Sequence, residues 1–204
     1  MRNIRVPEKF INEVIAPACG NDEGIKQAFR DVPRHKFIDE AMSKLAYHDS
    51  ALPIGFGQTI SKPSTVAYMT HLLSISHSDR VLEIGTGSGF QAGIISRLCK
   101  SVYTVERIPA LYHRSSVVLR KLHFFNIHFK IDNGKIGWKE HAPFDKIIVT
   151  AGGDNLPEEL AEQLNVGGVL VMPLKNKIRF CIKSSEGLVW KDTERECKFV
   201  EFVM

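Results

Sequence analysis

One short segment carries the residues best suited to chemistry. Its apolar run over residues 81–84 contains Glu83 and predicts a short buried strand. The run gives way to Gly85, Gly87 and Gly89, which predict a turn before a helix. Glycine adopts backbone conformations that other residues avoid, and it lets the chain pass close to a ligand. We therefore expect a nucleotide-type binding site at the end of this strand.

The spacing of these glycines distinguishes between two kinds of cofactor. A dinucleotide-binding turn places its glycines at positions i, i+2 and i+5, so that a pyrophosphate sits on the N-terminus of the following helix. Here the third glycine falls at i+4, and Phe90 follows it. This spacing favours a ligand that has no pyrophosphate and whose amino-acid end lies along the glycine backbone, namely S-adenosylmethionine. The predicted contacts in this segment are Glu83, Gly85, Thr86, Gly87 and Gly89.

Polar residues also follow the later strands. In a doubly wound sheet the ligand lies outside the carboxyl ends of the strands, so these residues are candidates for the same site. Glu106 ends the second strand, where a carboxylate can accept hydrogen bonds from both ribose hydroxyls. Asp132 and Asn133 follow the third strand, where an adenine edge is expected, although an Asn-Gly pair is equally compatible with a plain turn. Val149 and Thr150 precede small residues that leave room for a substrate, and we predict that both contact it.

A long segment before the glycine turn shows no periodicity from Tyr47 to Pro63. Prolines and glycines interrupt it, and we predict a loop without regular secondary structure. Loops of this length commonly act as binding elements. Its last part, residues 57–61, is rich in hydrogen-bonding groups and precedes a predicted helix over residues 64–75. The loop is therefore a candidate binding element.

The order of the remaining elements predicts the fold. Strands and helices alternate from residue 79 onward, which predicts a parallel sheet with helices on both faces. After Pro173 strands continue without helices, so we expect antiparallel additions at one edge. Residues 1–45 carry helical signals and predict an N-terminal helical cap. The fold class is therefore α/β, a doubly wound and mostly parallel sheet. The predicted strands cover residues 81–84, 102–106, 127–131, 146–150, 169–172, 179–183, 188–191 and 198–203, and the helices among them cover residues 88–99, 110–124 and 156–164.

The composition narrows the class of protein. The chain has 204 residues, of which 44% are hydrophobic and 25% charged, values typical of one globular domain. No apolar run approaches the ~18 residues of a membrane span, and the N-terminus leads into no apolar signal core, so we expect a cytoplasmic protein. The net charge of +4 is spread along the chain. We therefore predict no dedicated nucleic-acid or membrane surface, and we expect a monomer.

Residue spacing also argues against metal and hydrolase chemistry. The four cysteines are widely separated and form no C-x-x-C pair, which predicts free thiols rather than a disulfide framework or a zinc site. The eight histidines form no H-x-x-x-H pair, so we expect no metal site. A hydrolase arrangement of His48, Asp49 and Ser61 lacks the nucleophile elbow that such enzymes use.

Five segments of the sequence together resemble the protein-L-isoaspartate O-methyltransferase family. They are residues 32–37, 52–61, 81–89, 102–107 and 144–150, and the resemblance runs from about residue 25 to residue 173. The glycine turn alone is typical of any class I methyltransferase. The stretch Gly57-Gln-Thr-Ile-Ser61 is much more specific to this family. It therefore carries the assignment of the substrate.

The resemblance implies a class I, Rossmann-like methyltransferase core that uses S-adenosylmethionine and releases S-adenosyl-L-homocysteine. The implied activity is methylation of the free carboxylate of L-isoaspartyl residues in damaged proteins and peptides, which is a repair reaction. The resemblance implies that Gln58, Thr59 and Ile60 contact the cofactor. It also implies that Thr59 and Ser61 contact the substrate, and that Ser61 is the active-site serine.

The resemblance divides the single domain into three parts. Residues 1–62 are the helical cap and substrate loop, residues 63–173 the cofactor-binding core, and residues 174–204 the C-terminal antiparallel strands. Three segments depart from the usual pattern of the family. Asn133 stands where Asp is usual, and residues 174–177 replace a glycine-containing loop with a glutamine. Residues 198–204 replace the Phe-Val-Pro-Leu-like C-terminus that is common in the family. Two alternatives stay open, a carboxyl methyltransferase with another peptide or small-acid acceptor, and a cofactor-binding module without catalysis.

Overall fold

The computed structural model describes residues 5–197, 199 and 200. The strands of this part of the chain are β1 (Leu52–Gly55), β2 (Gln58–Ile60), β3 (Arg80–Ile84), β4 (Ser101–Glu106), β5 (Ile127–Ile131), β6 (Phe144–Val149), β7 (Leu164–Leu174), β8 (Lys177–Ser184) and β9 (Gly187–Glu196). Its main sheet has the order β5-β4-β3-β6-β7-β8-β9. Strands β3 to β7 run parallel, while β8 and β9 are antiparallel additions at one edge. The predicted α/β fold is confirmed.

Helices cover both faces of this sheet. They are α1 (Glu8–Phe10), a π-helix (Ile11–Ile15), α2 (Ala16–Ala18), α3 (Glu23–Asp31), α4 (Pro63–Leu73), α5 (Phe90–Ser96), α6 (Pro109–Lys121) and α7 (Glu158–Glu162), with short 3₁₀ helices at Arg34–Phe37, Glu40–Leu45 and Lys139–His141. The N-terminal helices pack on α4 and α5, as the predicted cap requires. No helix in the described part of the chain is long and apolar enough to cross a membrane.

The topology places a crevice at the carboxyl end of β3. This strand pairs with β4 on one side and with β6 on the other, so the strand order reverses at β3. In open α/β sheets a ligand binds at such a reversal, outside the carboxyl ends of the strands. The strands that meet there end at Ile84, Glu106 and Val149.

Two apolar cores hold β3 in place, one on each face of the sheet. Val81 packs with Phe29 and Phe90 on one face, under the N-terminal helices. Leu82 packs with Leu160 on the opposite face, under α7. Burial on both faces explains the nearly continuous apolar run of this strand, which is typical of parallel sheets. The strand end that carries the glycine turn is therefore rigidly supported.

The irregular loop predicted over residues 47–63 is wrong, because β1 and β2 form an antiparallel hairpin inside it. Leu52 pairs with Ile60, and both side chains are buried in the core. The turn at residues 55–57 has positive φ throughout. Each strand is too short for periodicity to appear in the sequence, and Pro53 argues against a strand because it cannot donate a backbone hydrogen bond.

The remaining differences lie at element ends. Helices predicted over residues 88–99 and 156–164 are shorter, and β9 runs past the predicted end at residue 191. Of the strand predicted over residues 198–203, Lys198 and residues 201–203 lie outside the described residues, while Phe199 and Val200 form no strand. The carbonyl of Val200 accepts a hydrogen bond from the Gly152 amide (2.8 Å). This contact brings the C-terminal segment against the loop that follows β6.

Candidate active site

An open cavity lies at the carboxyl ends of β3 and β4, with about 910 Å³ of empty space when the adjoining open solvent is included. Its walls come from the end of the hairpin, the start of α4, the glycine turn and the loops after β4, β5 and β6. The lining residues that the sequence predicted are Gln58, Thr59, Ile60, Ser61, Gly85, Thr86, Gly87, Glu106, Asp132, Asn133 and Thr150. Lining residues that sequence reasoning missed include Thr65, Met69, Phe90, Gln91, Arg107 and Leu111.

The glycine turn is fixed by its neighbours on both sides. The amides of Gly85 and Thr86 donate to the Val105 carbonyl (2.9 and 3.3 Å). On the other side, the Thr150 hydroxyl donates to the Gly85 carbonyl (2.7 Å). Gly85 has φ 96°, and a Cβ atom there would collide with the Thr150 hydroxyl, so glycine is required. The turn therefore presents bare backbone to the cavity, as the spacing of the glycines predicted.

Glu106 is a buried acidic group in the wall of this cavity. Its side chain is held from both ends, because Oε2 accepts from the Gly87 amide (2.7 Å) and Oε1 accepts from the Ile108 amide (2.9 Å). The residue is only 5% exposed yet lines the cavity. Each carboxylate oxygen has two acceptor sites. The remaining sites can therefore accept the hydroxyls of a ribose while the side chain stays fixed.

Asp132 and Asn133 form the far end of the cavity, and they form a turn as well. The Asp132 carboxylate accepts from the Asn133 amide (2.7 Å), and Asn133 Oδ1 accepts from the Lys135 amide (3.0 Å). Lys130 lies 3.0 Å from the Asp132 carboxylate and holds its pKa below the usual range. The two interpretations of this segment, a turn and a ligand wall, are thus compatible.

Glu83 does not line the cavity, contrary to its predicted role as a cofactor contact. Its side chain lies beside Thr104 of the neighbouring strand β4 and is 0% exposed. Oε2 accepts from the Thr104 hydroxyl (2.5 Å), which lies 2.6 Å from the hydroxyl of the lining residue Thr86. Burial raises the pKa of Glu83 to about 8, so the carboxyl is protonated at neutral pH. Glu83 therefore supports the glycine turn through the hydroxyls of Thr104 and Thr86.

Glu83→Gln is expected to abolish a fall in stability that the wild-type protein shows as the pH rises. The folded pKa of about 8 exceeds the usual 4.5, so the folded state keeps a proton that the unfolded state releases between these pH values. The free energy of unfolding of the wild type therefore falls as pH rises through this window. Urea denaturation of both proteins from about pH 5 to about pH 9 measures the difference. Parallel pH profiles of the two proteins would contradict the assignment.

Gly89 and Val149 also lie away from the cavity lining. Gly89 is the N-cap of α5 with φ 87°, and a Cβ atom there would lie 2.9 Å from Leu119 Cδ1. Val149 is fully buried in the core on the α7 side of the sheet. Gly89 packs against α6 at the start of α5, and the Val149 side chain points into the core at the end of β6. Their effect on ligands is therefore indirect.

Gly89→Ala is expected to lower the free energy of unfolding by about 1–2 kcal/mol, because an L side chain is strained at positive φ and meets Leu119. Gly167→Ala is a matched control, since Gly167 has φ 82° with open space around it and isolates the backbone cost. Urea denaturation compares the two variants. A loss of cofactor affinity without a loss of stability would instead support the predicted direct contact of Gly89.

Arg34 positions the Ser61 side of the cavity, a role that sequence reasoning missed. Its guanidinium donates to the carbonyls of Ala46 (2.7 Å), Ser50 (2.9 Å) and Ser61 (3.1 Å). The residue is 1% exposed, and its Cζ atom lies 5.9 Å from the centroid of the Phe90 ring. Burial lowers the pKa of Arg34 to about 10, which leaves it cationic at neutral pH. It joins the segment before the hairpin to Ser61.

Asp49 has a structural partner that accounts for its position beside His48. Its carboxylate accepts from both the amide (2.9 Å) and the hydroxyl (2.8 Å) of Ser64, in the first turn of α4. Arg195 of β9 donates to the same hydroxyl (3.0 Å) and stacks on the Tyr68 ring. These contacts fix the start of α4, which begins two residues after Ser61 in the chain. Asp49 thus serves the site as a helix cap rather than as part of a hydrolase triad.

A second open cavity continues from the first, with about 1400 Å³ of empty space when the adjoining open solvent is included. Both cavities share the lining residues Thr59, Ser61, Thr65, Thr150, Phe199 and Val200. The space is therefore divided into an inner part against the glycine turn and an outer part that opens between α4, the β7–β8 turn and the C-terminal segment. Ser61 lies where the two parts meet.

The fold and the site together define the class of the protein. The parallel sheet carries a bare glycine turn that lacks dinucleotide spacing, with Glu106 at the next strand end and a polar turn at the third. These features fit the methionine, ribose and adenine parts of S-adenosylmethionine, and the hydrogen-bonding groups that line the cavity suit them chemically. The chain is thus a class I S-adenosylmethionine-dependent methyltransferase by architecture.

Comparison with known proteins identifies the family within this class. Residues 5–204 match the model of the protein-L-isoaspartate(D-aspartate) O-methyltransferase family. The chain is 48% identical to a protein-L-isoaspartate O-methyltransferase of Geobacter metallireducens, over 89% of this chain and 86% of that protein. This chain belongs to the protein-L-isoaspartate(D-aspartate) O-methyltransferase family.

Solved structures agree with this assignment. A protein-L-isoaspartate O-methyltransferase superposes with a TM-score of 0.86 at 26% identity, over 95% of this chain and 65% of that longer chain. A putative member from Plasmodium falciparum, solved in complex with S-adenosyl-L-homocysteine, shares the fold with a TM-score of 0.84, over 96% of this chain and 97% of that one. Its identity is 21%, so this likeness concerns the fold.

Proposed function

We propose that this chain transfers a methyl group from S-adenosylmethionine to the free carboxylate of L-isoaspartyl residues in damaged proteins and peptides. Family membership supports the activity, and the division of the cavity supports its geometry. The inner part, against the glycine turn and Glu106, suits the cofactor. The outer part, beyond Ser61, is open enough for a peptide chain. The shared lining at Ser61 is the observation that carries the proposal.

The reaction requires the protein to align the two reactants, and it does not require a general base. When bound, S-adenosylmethionine supplies a methyl group on a positively charged sulfur atom, which an oxygen nucleophile can attack directly. A carboxylate with a pKa of about 3.9 is already ionised at neutral pH, so no side chain has to remove a proton. Thr59 and Ser61 then orient the acceptor where the two cavities meet, and Thr150, whose hydroxyl donates to the Gly85 carbonyl, forms the wall beside it. Holding reactants in near-attack geometry is a large source of rate enhancement.

The activity is tested with two peptides of the same sequence, one with an isoaspartyl residue and one with ordinary aspartate. The pure protein is incubated with each peptide and S-adenosylmethionine labelled in its methyl group. We expect label in the isoaspartyl peptide and almost none in its twin. Equal labelling of both peptides, or labelling of neither, would overturn the proposed function.

Ser61→Ala is expected to lower kcat/KM for an isoaspartyl peptide about tenfold or more, because a hydrogen bond to a charged acceptor is lost. The affinity for S-adenosyl-L-homocysteine, measured by calorimetry, should change little, since only the acceptor loses a contact. Ser78→Ala serves as the control, because Ser78 is exposed in the turn before β3, away from both cavities. Equal activity of Ser61→Ala and wild type would remove Ser61 from the acceptor site.

We also propose that the three parts of the chain divide these tasks. Residues 1–62 supply the acceptor loop, residues 63–173 hold the cofactor and residues 174–204 add the outer wall of the peptide groove. A cytoplasmic location is supported by Cys19, Cys99, Cys181 and Cys197, which are all free thiols and therefore suit a reducing compartment. The monomeric state stays a prediction.

A further inference from the structure

The second cavity, which forms the outer part of the groove, carries an excess of positive charge. Lys62, Lys175 and Lys177 line it with exposed side chains, together with the carboxylate of Glu196. Among the ion pairs formed by the described residues, none involves these three lysines. We call this set of three lysines the basic rim. Any chain that enters the groove meets a cationic surface.

The turn that carries Lys175 is held at the rim by backbone hydrogen bonds on both sides. The Lys175 amide donates to the Gly153 carbonyl (3.0 Å), in the loop that follows β6. The Asn176 carbonyl accepts from the Cys197 amide (2.8 Å), which begins the C-terminal segment. Both contacts join the turn to other walls of the groove. The backbone that carries Lys175 is therefore anchored at the mouth of the second cavity.

The backbone at this turn makes lysine an unusual choice. Lys175 and Asn176 form a two-residue hairpin turn with φ 49° and 63°. Such turns favour asparagine and glycine, because positive φ strains most other side chains. A long cationic side chain thus occupies a position where turn geometry favours a different residue. Local strain of this kind is an indication of a functional constraint.

Lys62 extends the rim to the residue next to Ser61, because it follows Ser61 in the chain and lines the second cavity. An acceptor whose carboxylate reaches Ser61 must place its neighbouring residues in the groove, next to Lys62 and Lys175. Side chains of opposite charge on those residues gain from the rim, and side chains of like charge lose. Glu196 pairs in register with Lys177 across β8 and β9, so its charge offsets Lys177 more than the other two.

We infer that the basic rim makes this enzyme select isoaspartyl sites flanked by acidic side chains, with Lys175 and Lys62 as the main specificity determinants. The inference rests on the proposed function, because the groove is an acceptor groove only if Ser61 receives the acceptor. Exposed charges interact weakly one at a time, so the effect arises from several pairs acting together. Salt screens such interactions, so the selectivity declines as ionic strength rises.

Three isoaspartyl peptides test this inference, identical except that the residues on both sides of the isoaspartyl residue are Glu, Ser or Lys. At low salt we expect kcat/KM for the Glu peptide to exceed that for the Lys peptide about fivefold or more, with the Ser peptide between them. The ratio should shrink towards one as sodium chloride is added. Equal kcat/KM for the three peptides would overturn the inference while leaving the proposed function intact.

Variants show whether the rim causes the selectivity. Combining Lys62→Gln, Lys175→Asn and Lys177→Gln removes the charges, and asparagine preserves the turn because it tolerates positive φ. We expect the Glu-to-Lys peptide ratio to fall close to one in this protein. Lys121→Gln, an exposed lysine at the end of α6 outside both cavities, should keep the wild-type ratio. A Glu-to-Lys peptide ratio that stays at the wild-type value in the triple variant would overturn the inference. Absence of turnover of all three peptides by the wild-type protein would overturn the proposed function with it.

Discussion

Arg34→Ala is expected to lower the free energy of unfolding by about 3–5 kcal/mol and to abolish most methyl transfer. Three carbonyls, those of Ala46, Ser50 and Ser61, lose their donor at once. A buried acceptor without a partner costs ~1–3 kcal/mol, partly relieved where water can enter. The segment that carries Ser61 loses its anchor in the same step. Stability and activity should therefore fall together.

Urea denaturation measures the loss of stability, and kcat/KM for an isoaspartyl peptide measures the loss of activity. Arg30→Ala is the matched control, because Arg30 pairs with Glu8 at the surface, where an ion pair contributes little. Arg34→Lys should fall between wild type and Arg34→Ala, since an ammonium group cannot span all three carbonyls. If Arg34→Ala were as stable and active as Arg30→Ala, the positioning role of Arg34 would be wrong.

Glu106→Ala is expected to weaken S-adenosyl-L-homocysteine binding by about 1.5–3 kcal/mol, or roughly 10- to 150-fold in Kd. Glu106 lines the cavity with acceptor sites suited to the ribose hydroxyls, and hydrogen bonds to a charged group are the strong ones. Its loss also frees the amides of Gly87 and Ile108, which shape the glycine turn. Both effects act on the cofactor.

Calorimetric titration measures this loss of affinity. Glu106→Gln separates the two causes, because an amide oxygen can still accept from one backbone amide while the negative charge is gone. We expect it to bind more weakly than wild type and more tightly than Glu106→Ala. Glu140→Ala, an exposed carboxylate outside the cavities, should leave Kd unchanged. An unchanged Kd for Glu106→Ala would refute the ribose assignment.

Local patterns in the sequence predicted the strand and the glycine turn on one side of the cavity. The apolar run before Gly85 predicted β3, and the spacing of the glycines predicted a turn without a pyrophosphate site. Both features depend on residues close together in the chain, so they are visible in the sequence. The same patterns could not show which side chains face the ligand. Glu83 and Val149 point into the core, and Gly89 packs against α6 at the start of α5, because of the exact course of the backbone at these positions.

The acceptor side was less predictable, because its parts come from distant segments. The β1–β2 hairpin was predicted as a loop, since a four-residue and a three-residue strand show no clear alternation. Arg34 lies 27 residues before Ser61, and nothing local to either residue indicates their hydrogen bond. The groove beyond Ser61 also needs the β7–β8 turn, whose position depends on strand order. Such contacts become visible only in the folded chain.

The most direct test of the proposed function locates the transferred methyl group on the acceptor. A peptide is prepared that holds one isoaspartyl residue, one ordinary aspartate, one glutamate and a free C-terminus, and it is methylated with the wild-type protein. Tandem mass spectrometry then assigns the ester. The account predicts a methyl ester on the isoaspartyl carboxylate alone. A methyl group on any of the other three carboxylates, or no methyl group at all, would contradict it.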